Sequence, residues 1–316
     1  MFRCQVCTNL FINKNKYKLI MLNAIPIIFI HKGDSFYLKY ALENAKKFNP
    51  TSKIILIGDK VTIYPDFVEY YDMKNFVKYS KEFEKIYVHL NVSNPEIEMF
   101  CIKRWLVLLD FMEKIKLKRI FTCDSDVLLF QNVSEDAKNF DTNDVVIVDG
   151  TNECLTLLNN IKVLDCYKKI VFGFYEKKAN TLTRKNRITD MTFWKQLNDS
   201  KKFKIGEATK IIDNAFYDSG FLSQNYYNGK NDYNIKKFVF INGLPFGEIN
   251  KKFVELKAIH FQGPAKFYMK PFSKCKNNFM VYLRVKLLIW FRDSFSPKIS
   301  NNLRDKIKKM MIKAGV

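Results

Sequence analysis

A pattern of short apolar runs constrains the fold of this chain most. Residues 25–30 (IPIIFI) and 53–57 (KIILI) are apolar runs of strand length, and each ends at a polar turn. Between them, residues 35–48 have the spacing of an amphipathic helix, which stops before Asn49 and Pro50. Strands that are apolar on both faces lie inside parallel sheets and are covered by helices. The order strand, helix, strand therefore predicts a β-α-β unit and an α/β fold with a Rossmann-like sheet.

The rest of the chain extends this pattern. Residues 95–114 predict one long helix with a single apolar face, and residues 150–235 predict helices and loops with few strands. Further strands are expected at residues 119–123, 127–130, 144–148, 237–241 and 258–261. Because no internal repeat or low-complexity linker interrupts residues 21–275, they are predicted to form one domain. An extension at 1–20 precedes this domain, and a tail at 276–316 follows it.

The charge of the chain is concentrated at its ends. Of the formal net charge of +21, residues 266–316 carry +11 and residues 1–20 carry +4, so the body between them is only mildly basic. This distribution favours an enzyme core with a basic appendage. A basic nucleic-acid-binding protein is the alternative from another class, but it needs aromatic residues interleaved with cations on an exposed surface. Here the aromatic residues lie mostly in apolar runs.

The tail has two apolar segments. Residues 279–291 are strongly apolar but too short to span a bilayer, and residues 300–313 place apolar side chains on one helical face and cations on the other. A basic amphipathic helix is typical of a peripheral membrane contact with anionic lipid. The alternative is a pair of helices that pack on the domain with their cations in water.

The seven cysteines predict the compartment. Their number is odd and their spacing is irregular, and Cys101 and Cys123 lie in apolar runs. Such a set is typical of reduced thiols. We therefore expect a cytoplasmic protein, with the tail in contact with the inner face of a membrane.

An acidic pair follows one of the predicted strands. Asp124 and Asp126 are separated by Ser125, after the run IFTC and before the run VLLF. In an extended segment the side chains of residues i and i+2 point the same way, so both carboxylates can face one hard cation. A carboxylate pair between buried strands needs a reason to be there. The alternative is a strand end with two solvated acids.

A second group of polar residues follows the last predicted strand. His260 lies near the end of that strand, and Gly263 and Lys266 follow in the turn. A neutral imidazole can add a nitrogen ligand to two carboxylates. Gly263 permits close approach of a phosphate to the backbone, and Lys266 offers a point charge to a diphosphate. A histidine that has only a structural role is the alternative.

Taken together, Asp124-x-Asp126 and His260-x-x-Gly263-x-x-Lys266 resemble the motifs of retaining GT-A glycosyltransferases of the family 8 kind. The resemblance implies a GT-A fold, which is a mixed, mainly parallel sheet flanked by helices. It also implies that Asp124, Asp126 and His260 hold Mn²⁺ or Mg²⁺, and that Gly263 and Lys266 contact the donor diphosphate. The reaction would move a sugar from a nucleotide sugar, a UDP-sugar above all, to a hydroxyl of a glycan, a lipid-linked or a protein acceptor.

Four further residues are candidates by the same resemblance. Arg104 resembles a basic residue that family members direct at the donor, and Asp190 is the candidate carboxylate near the sugar or acceptor. The alternatives are a surface cation for Arg104 and a helix N-cap for Asp190. His31 and Asp34 follow the first strand, where this fold places the nucleobase. A nucleotidyltransferase would share the sheet and metal chemistry, but it usually has a glycine-rich loop after the first strand, and this chain has only Gly33 there.

Overall fold

The computed structural model of this protein describes residues 24–177, 181–221, 238–249 and 251–274. The predicted extension at 1–20 and the predicted tail at 276–316 lie outside the described residues. The division into domains and the membrane contact of the tail therefore stay predictions. Within the described ranges, no helix combines the length and the apolar character that a membrane span needs.

The described elements alternate along the chain as follows. The strands are β1 (Ile27–Lys32), β2 (Ile54–Asp59), β3 (Val68–Asp72), β4 (Ile120–Cys123), β5 (Val127–Leu129), β6 (Val145–Val148), β7 (Asn152–Leu158), β8 (Ile205–Glu207), β9 (Ala215–Asp218), β10 (Phe238–Ile241), β11 (Leu244–Ile249) and β12 (Lys252–His260). The α-helices are α1 (Leu38–Phe48), α2 (Lys78–Ile86), α3 (Pro95–Ile115), α4 (Val133–Asp136), α5 (Lys162–Lys177), α6 (Asp190–Asp199) and α7 (Met269–Ser273).

The described strands form two sheets. The larger sheet has the order β3-β2-β1-β4-β7-β6-β8, and all its pairs are parallel except the two that β7 makes with β4 and β6. The predicted mixed, mainly parallel sheet flanked by helices is thereby confirmed. The smaller sheet has the order β10-β11-β12-β5, and β9 also pairs with β12.

One prediction about the middle of the chain was wrong. Residues 150–235 were expected to contain few strands, yet β7 lies between β4 and β6 inside the larger sheet. Its sequence, NECLTLL, places polar residues within a strand-length apolar run, which weakens the apolar signal. The strand is stabilised by pairing with β4 on one edge and β6 on the other. No local sequence pattern indicates this pairing.

The long helix α3 agrees with its prediction to within one residue. Asn94 caps its first turn by accepting hydrogen bonds from the amides of Glu96 and Ile97, and Pro95 occupies the first helical position. Such a cap stabilises a helix by about 1 kcal/mol. At the other end Lys116 adopts a left-handed conformation with φ of 58°, which stops the helix.

The larger sheet is buried on both faces. Ile27 and Phe29 on β1 contribute to one apolar cluster, whereas Ile28 and Ile30 on the same strand contribute to a second cluster. The alternation follows from the period of two along a strand. The second cluster includes the buried face of α3, where the ring of Trp105 meets that of Trp194 edge-on at 4.9 Å between centroids. This contact packs the middle of α3 against α6.

The two polar motifs meet because β5 pairs with β12. The chain leaves the larger sheet after β4, turns through residues 124–126 and enters the smaller sheet as β5. There Val127 lies opposite His260 in the antiparallel register, and the Phe261 amide donates to the Asp126 carbonyl at 2.8 Å. Residues far apart in sequence therefore lie side by side at the junction of the two sheets.

Candidate metal centre

Asp124, Asp126 and His260 converge at the junction of the sheets. One ligand atom from each residue lies within 4.8 Å of the other two. Asp124 and Asp126 are partly buried and His260 is buried, so their side chains have restricted freedom. Two carboxylate oxygens and one imidazole nitrogen form a donor set that suits a divalent cation with a preference for oxygen. The three residues could hold a metal ion.

A backbone contact orients the imidazole of His260. Its Nδ1 lies 3.2 Å from the Ser219 carbonyl oxygen. A carbonyl oxygen can accept a hydrogen bond but cannot donate one, so Nδ1 carries a proton. Nε2 then faces Asp126, with Oδ1 at 3.2 Å. Burial disfavours the imidazolium, but Cys154 and Asp126 outweigh it and raise the pKa of His260 well above its usual value. The imidazolium carries a second proton on Nε2, and a divalent cation bound at Nε2 would displace it.

Asp126 lies between two positive groups. Besides His260, its Oδ2 accepts a hydrogen bond from Lys266 Nζ at 2.6 Å. Burial alone would raise the pKa of Asp126, but His260 and Lys266 outweigh it and hold that pKa well below its usual value. The structure thus brings Lys266, Asp126 and His260 into one network, as their predicted common role requires.

Asp124 has a different environment. Burial raises the pKa of Asp124 above its usual value, Asp126 adds to the effect, and Arg104 opposes it. Arg104 contacts Asp124 directly through Nη1. The alternative of a solvated acidic pair does not hold, because each carboxylate has its own buried or half-buried cationic partner.

Arg104 joins three carboxylates. Its Nη2 lies 3.3 Å from Glu153 Oε1 and 3.4 Å from Asp190 Oδ2, while Nη1 bonds to Asp124. The guanidinium is largely buried, so the alternative of a surface cation is wrong. Asp190 is the first residue of α6, and Thr189 caps that helix, so the alternative of an N-cap is also wrong.

Sequence reasoning missed Glu153. It lies on β7 with 4% of its surface exposed, and an acid within the apolar run NECLTLL was the available signal. A carboxyl group in a buried strand needs a partner, which Arg104 supplies.

A cleft of about 630 Å³ opens beside the metal centre. Its walls come from the end of β1, the start of α3 and the acidic pair. The lining residues are Ile30, His31, Lys32, Gly33, Ser35, Tyr37, Asn94, Glu96, Ile97, Phe100, Cys101, Arg104, Asp124, Ser125 and Asp126. A volume of this size suits a small organic ligand.

The two candidates that follow the first strand have different positions. His31 lines the cleft, and its Nδ1 lies 2.8 Å from Ser125 Oγ. Burial lowers the pKa of His31 to about 4, so the imidazole is neutral near pH 7. Asp34 is not among the lining residues, because its carboxylate accepts hydrogen bonds from the amides of Thr62 and Ile63 and from the Thr62 hydroxyl. These bonds lower the pKa of Asp34.

The loop after β12 presents Gly263 and Lys266 on one short 3₁₀ segment, Gly263–Tyr268. Gly263 has φ of +55°, and a Cβ added there would meet no protein atom within 4 Å. Lys266 Nζ also lies 5.3 Å from the centre of the Tyr37 ring, so the lysine is held over the mouth of the cleft. A glycine with open space beside a placed lysine offers room and charge to an anion.

Three solved structures are similar to this chain. Mouse xyloside xylosyltransferase 1 in its apo form is 9% identical, with 75% of this chain and 97% of that chain covered and a TM-score of 0.46. The apo bifunctional glycosyltransferase WbbM is 10% identical, with 83% and 51% covered and a TM-score of 0.45. The glycosyltransferase GlyE of Streptococcus pneumoniae is 15% identical, with 61% and 47% covered and a TM-score of 0.37. No family model and no curated protein matches the chain. At these low identities and TM-scores, the functional inference depends on the side chains of the site.

Proposed function

We propose that this chain is a metal-dependent GT-A glycosyltransferase that moves a sugar from a UDP-sugar to an acceptor hydroxyl. The observation that supports the proposal is the convergence of Asp124, Asp126 and His260 beside a cleft of about 630 Å³. The acceptor would be a glycan, a lipid-linked group or a protein. The sequence resemblance and the geometry of the donor set support the same chemistry through the same three residues.

The residues of the site fit a bound Mn²⁺ or Mg²⁺. Asp124 and Asp126 supply oxygen ligands, and His260 supplies Nε2 because Ser219 holds its Nδ1. When bound, the cation supplies positive charge that stabilises the departing nucleoside diphosphate. Lys266 adds a second positive group on the same side, next to Asp126.

We assign each part of the nucleotide sugar to a different group of residues at the site. Gly263 leaves room for the diphosphate close to the backbone, within reach of Lys266. His31 is neutral and lines the cleft, and its buried Nε2 has no hydrogen-bond partner among the described residues. We assign this atom to the nucleobase or ribose, which offer uncharged donors and acceptors. Asp34 would act only indirectly, through the segment at 62–63 to which it is hydrogen-bonded.

Arg104 and Asp190 are proposed to act on the sugar side. Arg104 lines the cleft, whereas Asp190 is buried behind it and contacts the guanidinium. In this arrangement Arg104 would contact the donor, and Asp190 would orient Arg104. A transferred sugar would then lie between the metal centre and the start of α3.

Thermal unfolding in the presence of nucleotides tests the proposal. UDP should raise the melting temperature only when Mn²⁺ or Mg²⁺ is present, because the cation joins the protein to the diphosphate. At 100 times Kd the added stability is about 2.7 kcal/mol. Equal stabilisation in EDTA would count against the site, whereas stronger stabilisation by GDP would correct only the identity of the donor. The Asp126→Asn variant is the control, and it should lose the effect of Mn²⁺.

We also propose that residues 276–316 bring the enzyme to the inner face of an anionic membrane, where a lipid-linked acceptor would lie. The basis is the charge and apolar spacing of the sequence alone. Removal of these residues should release the protein from vesicles that contain anionic lipid, measured by sedimentation, with the melting curve unchanged. A truncated protein that still sediments with the vesicles would place the contact elsewhere.

A further inference from the structure

Glu153 lies where an acid is uncommon, on a strand inside the larger sheet. Only 4% of its surface is exposed, and it is not among the residues that line the cleft. Its Oε1 accepts a hydrogen bond from Arg104 Nη2 at 3.3 Å, and its carboxyl group lies beside that of Asp190, which accepts from the same nitrogen at 3.4 Å. A buried carboxyl group with these two partners is part of the polar network behind the metal centre.

A small cavity adjoins this network. Its volume is about 10 Å³, and its lining includes Arg104, Trp105, Asp124 and Glu153. Three buried polar atoms of these residues have no hydrogen-bond partner among the described residues, namely Arg104 Nε, Trp105 Nε1 and Glu153 Oε2. Two donors and one acceptor around a space of this size match the requirements of one water molecule. Glu153 and Arg104 therefore share polar surroundings beyond their direct contact.

We propose that Glu153 is a positioning residue of the metal centre, which holds the Arg104 guanidinium between Asp124 and Asp190 and thereby fixes the direction of the Asp124 carboxylate. The inference rests on the proposed metal-dependent function. Arg104 uses Nη1 for Asp124 and Nη2 for Glu153 and Asp190. Because the guanidinium is planar and rigid, a shift at Nη2 also displaces Nη1. Without Glu153, Arg104 loses one of the contacts that hold that plane.

The chemistry of the contact indicates which substitutions are informative. Burial raises the pKa of Glu153 well above its usual value, and Asp190 adds to the effect, so an uncharged side chain of the same length suits this position. Glutamine has the same length, with an oxygen for Arg104 and N–H donors for Asp190. Aspartate keeps the acidic group but is one methylene shorter, so it cannot reach both partners.

Direct Mn²⁺ titration of the full chain, with free Mn²⁺ followed by electron paramagnetic resonance, tests this role without reference to turnover. Glu153→Asp should weaken Mn²⁺ binding about 10–100-fold, the usual effect of losing a group that orients a metal ligand. Glu153→Gln should bind Mn²⁺ as the unsubstituted chain does. Thr156→Val is a matched control, because Thr156 is buried on the same strand and its hydroxyl donates a hydrogen bond to the Glu153 backbone carbonyl, at 3.3 Å, and not to the Glu153 side chain. It should leave Mn²⁺ affinity unchanged.

A melting curve for each variant separates loss of folding from loss of metal affinity. If Glu153→Gln and Glu153→Asp both bind Mn²⁺ like the unsubstituted chain, the positioning role is wrong. If Glu153→Gln is weak and Glu153→Asp is normal, negative charge at residue 153 is what matters, and positioning by hydrogen bonds is overturned. An unsubstituted chain that binds no Mn²⁺ would overturn the proposed function itself. Binding that is independent of residue 153 would overturn only this inference.

Discussion

The two carboxylates of the acidic pair are close in sequence but lie in opposite surroundings. Asp126 faces the smaller sheet and the loop after β12, where Lys266 and His260 both contact it. Asp124 faces the larger sheet, where its cationic partner Arg104 is shared with Glu153 and Asp190. The pKa of Asp126 is held low by its two cations, whereas burial raises the pKa of Asp124.

This difference indicates that Asp126 and Asp124 have different roles in the proposed site. Asp126 is kept ionised by His260 and Lys266, and it lies on the side where we propose that a diphosphate binds. Asp124 depends on Arg104 for its charge and is linked through it to Asp190, on the side that we assign to the transferred sugar. A cation between the two carboxylates would stabilise the charge of both. It would shift the equilibrium between the protonated and ionised forms most at Asp124, because that group is the less stable anion.

The largest effect should come from removing either carboxylate. Asp124→Asn and Asp126→Asn should each reduce metal-dependent transfer by at least about 100-fold, because the metal contributes several kcal/mol to the transition state. The two variants should differ in stability. The fold favours the anion at Asp126, so its loss should lower the melting temperature at pH 7, whereas an uncharged residue at 124 should be tolerated. Donor-hydrolysis assays and melting curves on both variants check this, and equal melting temperatures would contradict the comparison.

The sign of the pH dependence follows from the same comparison. Asp126 has a folded-state pKa below its unfolded value, so its contribution to stability is present above about pH 4 and is lost as the pH falls. Asp124 has a raised folded-state pKa, so its contribution is present at low pH and is lost as the pH rises through that pKa. The stability gap between Asp124→Asn and Asp126→Asn should therefore narrow on acidification.

Removal of Arg104 should have the next largest effect. Arg104→Met leaves Asp124, Glu153 and Asp190 without their shared cation, and breaking such a buried arrangement costs about 3–5 kcal/mol. The pKa values of Asp124 and Glu153, which Arg104 lowers, would rise further in the folded variant. The folded state would then bind more protons than the unfolded state, so the free energy of unfolding should fall as the pH rises from about 5 to 8.

Urea unfolding of Arg104→Met at the two ends of that pH range measures this loss. Lys266→Met is the comparison on the other side of the pair, where Lys266 is a quarter exposed and the loss should be smaller. If the decrease in the free energy of unfolding of Arg104→Met did not depend on pH, the carboxyl groups would have found other partners.

Lys266 should matter more for donor binding than for stability. Charged hydrogen bonds contribute about 1.5–3 kcal/mol, so Lys266→Ala should raise the Kd of UDP in the presence of Mn²⁺ about 10–100-fold. Lys32→Ala is the control, because Lys32 also borders the cleft but pairs at 3.5 Å with exposed Glu96. Calorimetric titration with UDP gives both values. A change in acceptor affinity alone would show that the loop after β12 serves the other substrate.

The sequence predicted the elements whose signals are local. The strand at 53–57 is a continuous apolar run, and α3 begins with Asn94 and Pro95, so both were located to within about two residues. The strand β7 was missed because Glu153 and Thr156 interrupt its apolar pattern and its neighbours come from distant parts of the chain. Even the local Asn242-Gly243 turn, a typical hairpin signal between β10 and β11, was overlooked.

The candidate site divides in the same way. Asp124 and Asp126 lie one residue apart, and His260 follows a predicted strand, so pattern and resemblance together could select them. Glu153 has no motif, and only the folded structure places it against Arg104. Asp34 lies in the predicted turn, yet its carboxylate accepts hydrogen bonds from the segment at 62–63, and no local pattern indicates which way such a side chain points.

The smallest effect is expected from Gly263→Ala, for which UDP affinity and the free energy of unfolding can be measured separately. Gly263→Ala should destabilise the fold by about 1–2 kcal/mol, since its φ of +55° disfavours a side chain while the added Cβ would meet no protein atom. Gly243→Ala is a matched control for Gly263→Ala, because Gly243 has φ of +79° and equally open space. Gly243 lies in the β10–β11 hairpin, and these two strands are farther from the acidic pair in the smaller sheet. Both variants should therefore lose similar stability in urea. Only Gly263→Ala should weaken UDP binding in Mn²⁺, because its methyl group occupies the space that we assign to the diphosphate. Equal UDP affinity in the two variants would remove the diphosphate from Gly263 and leave Asp126, His260 and Lys266 as its proposed contacts.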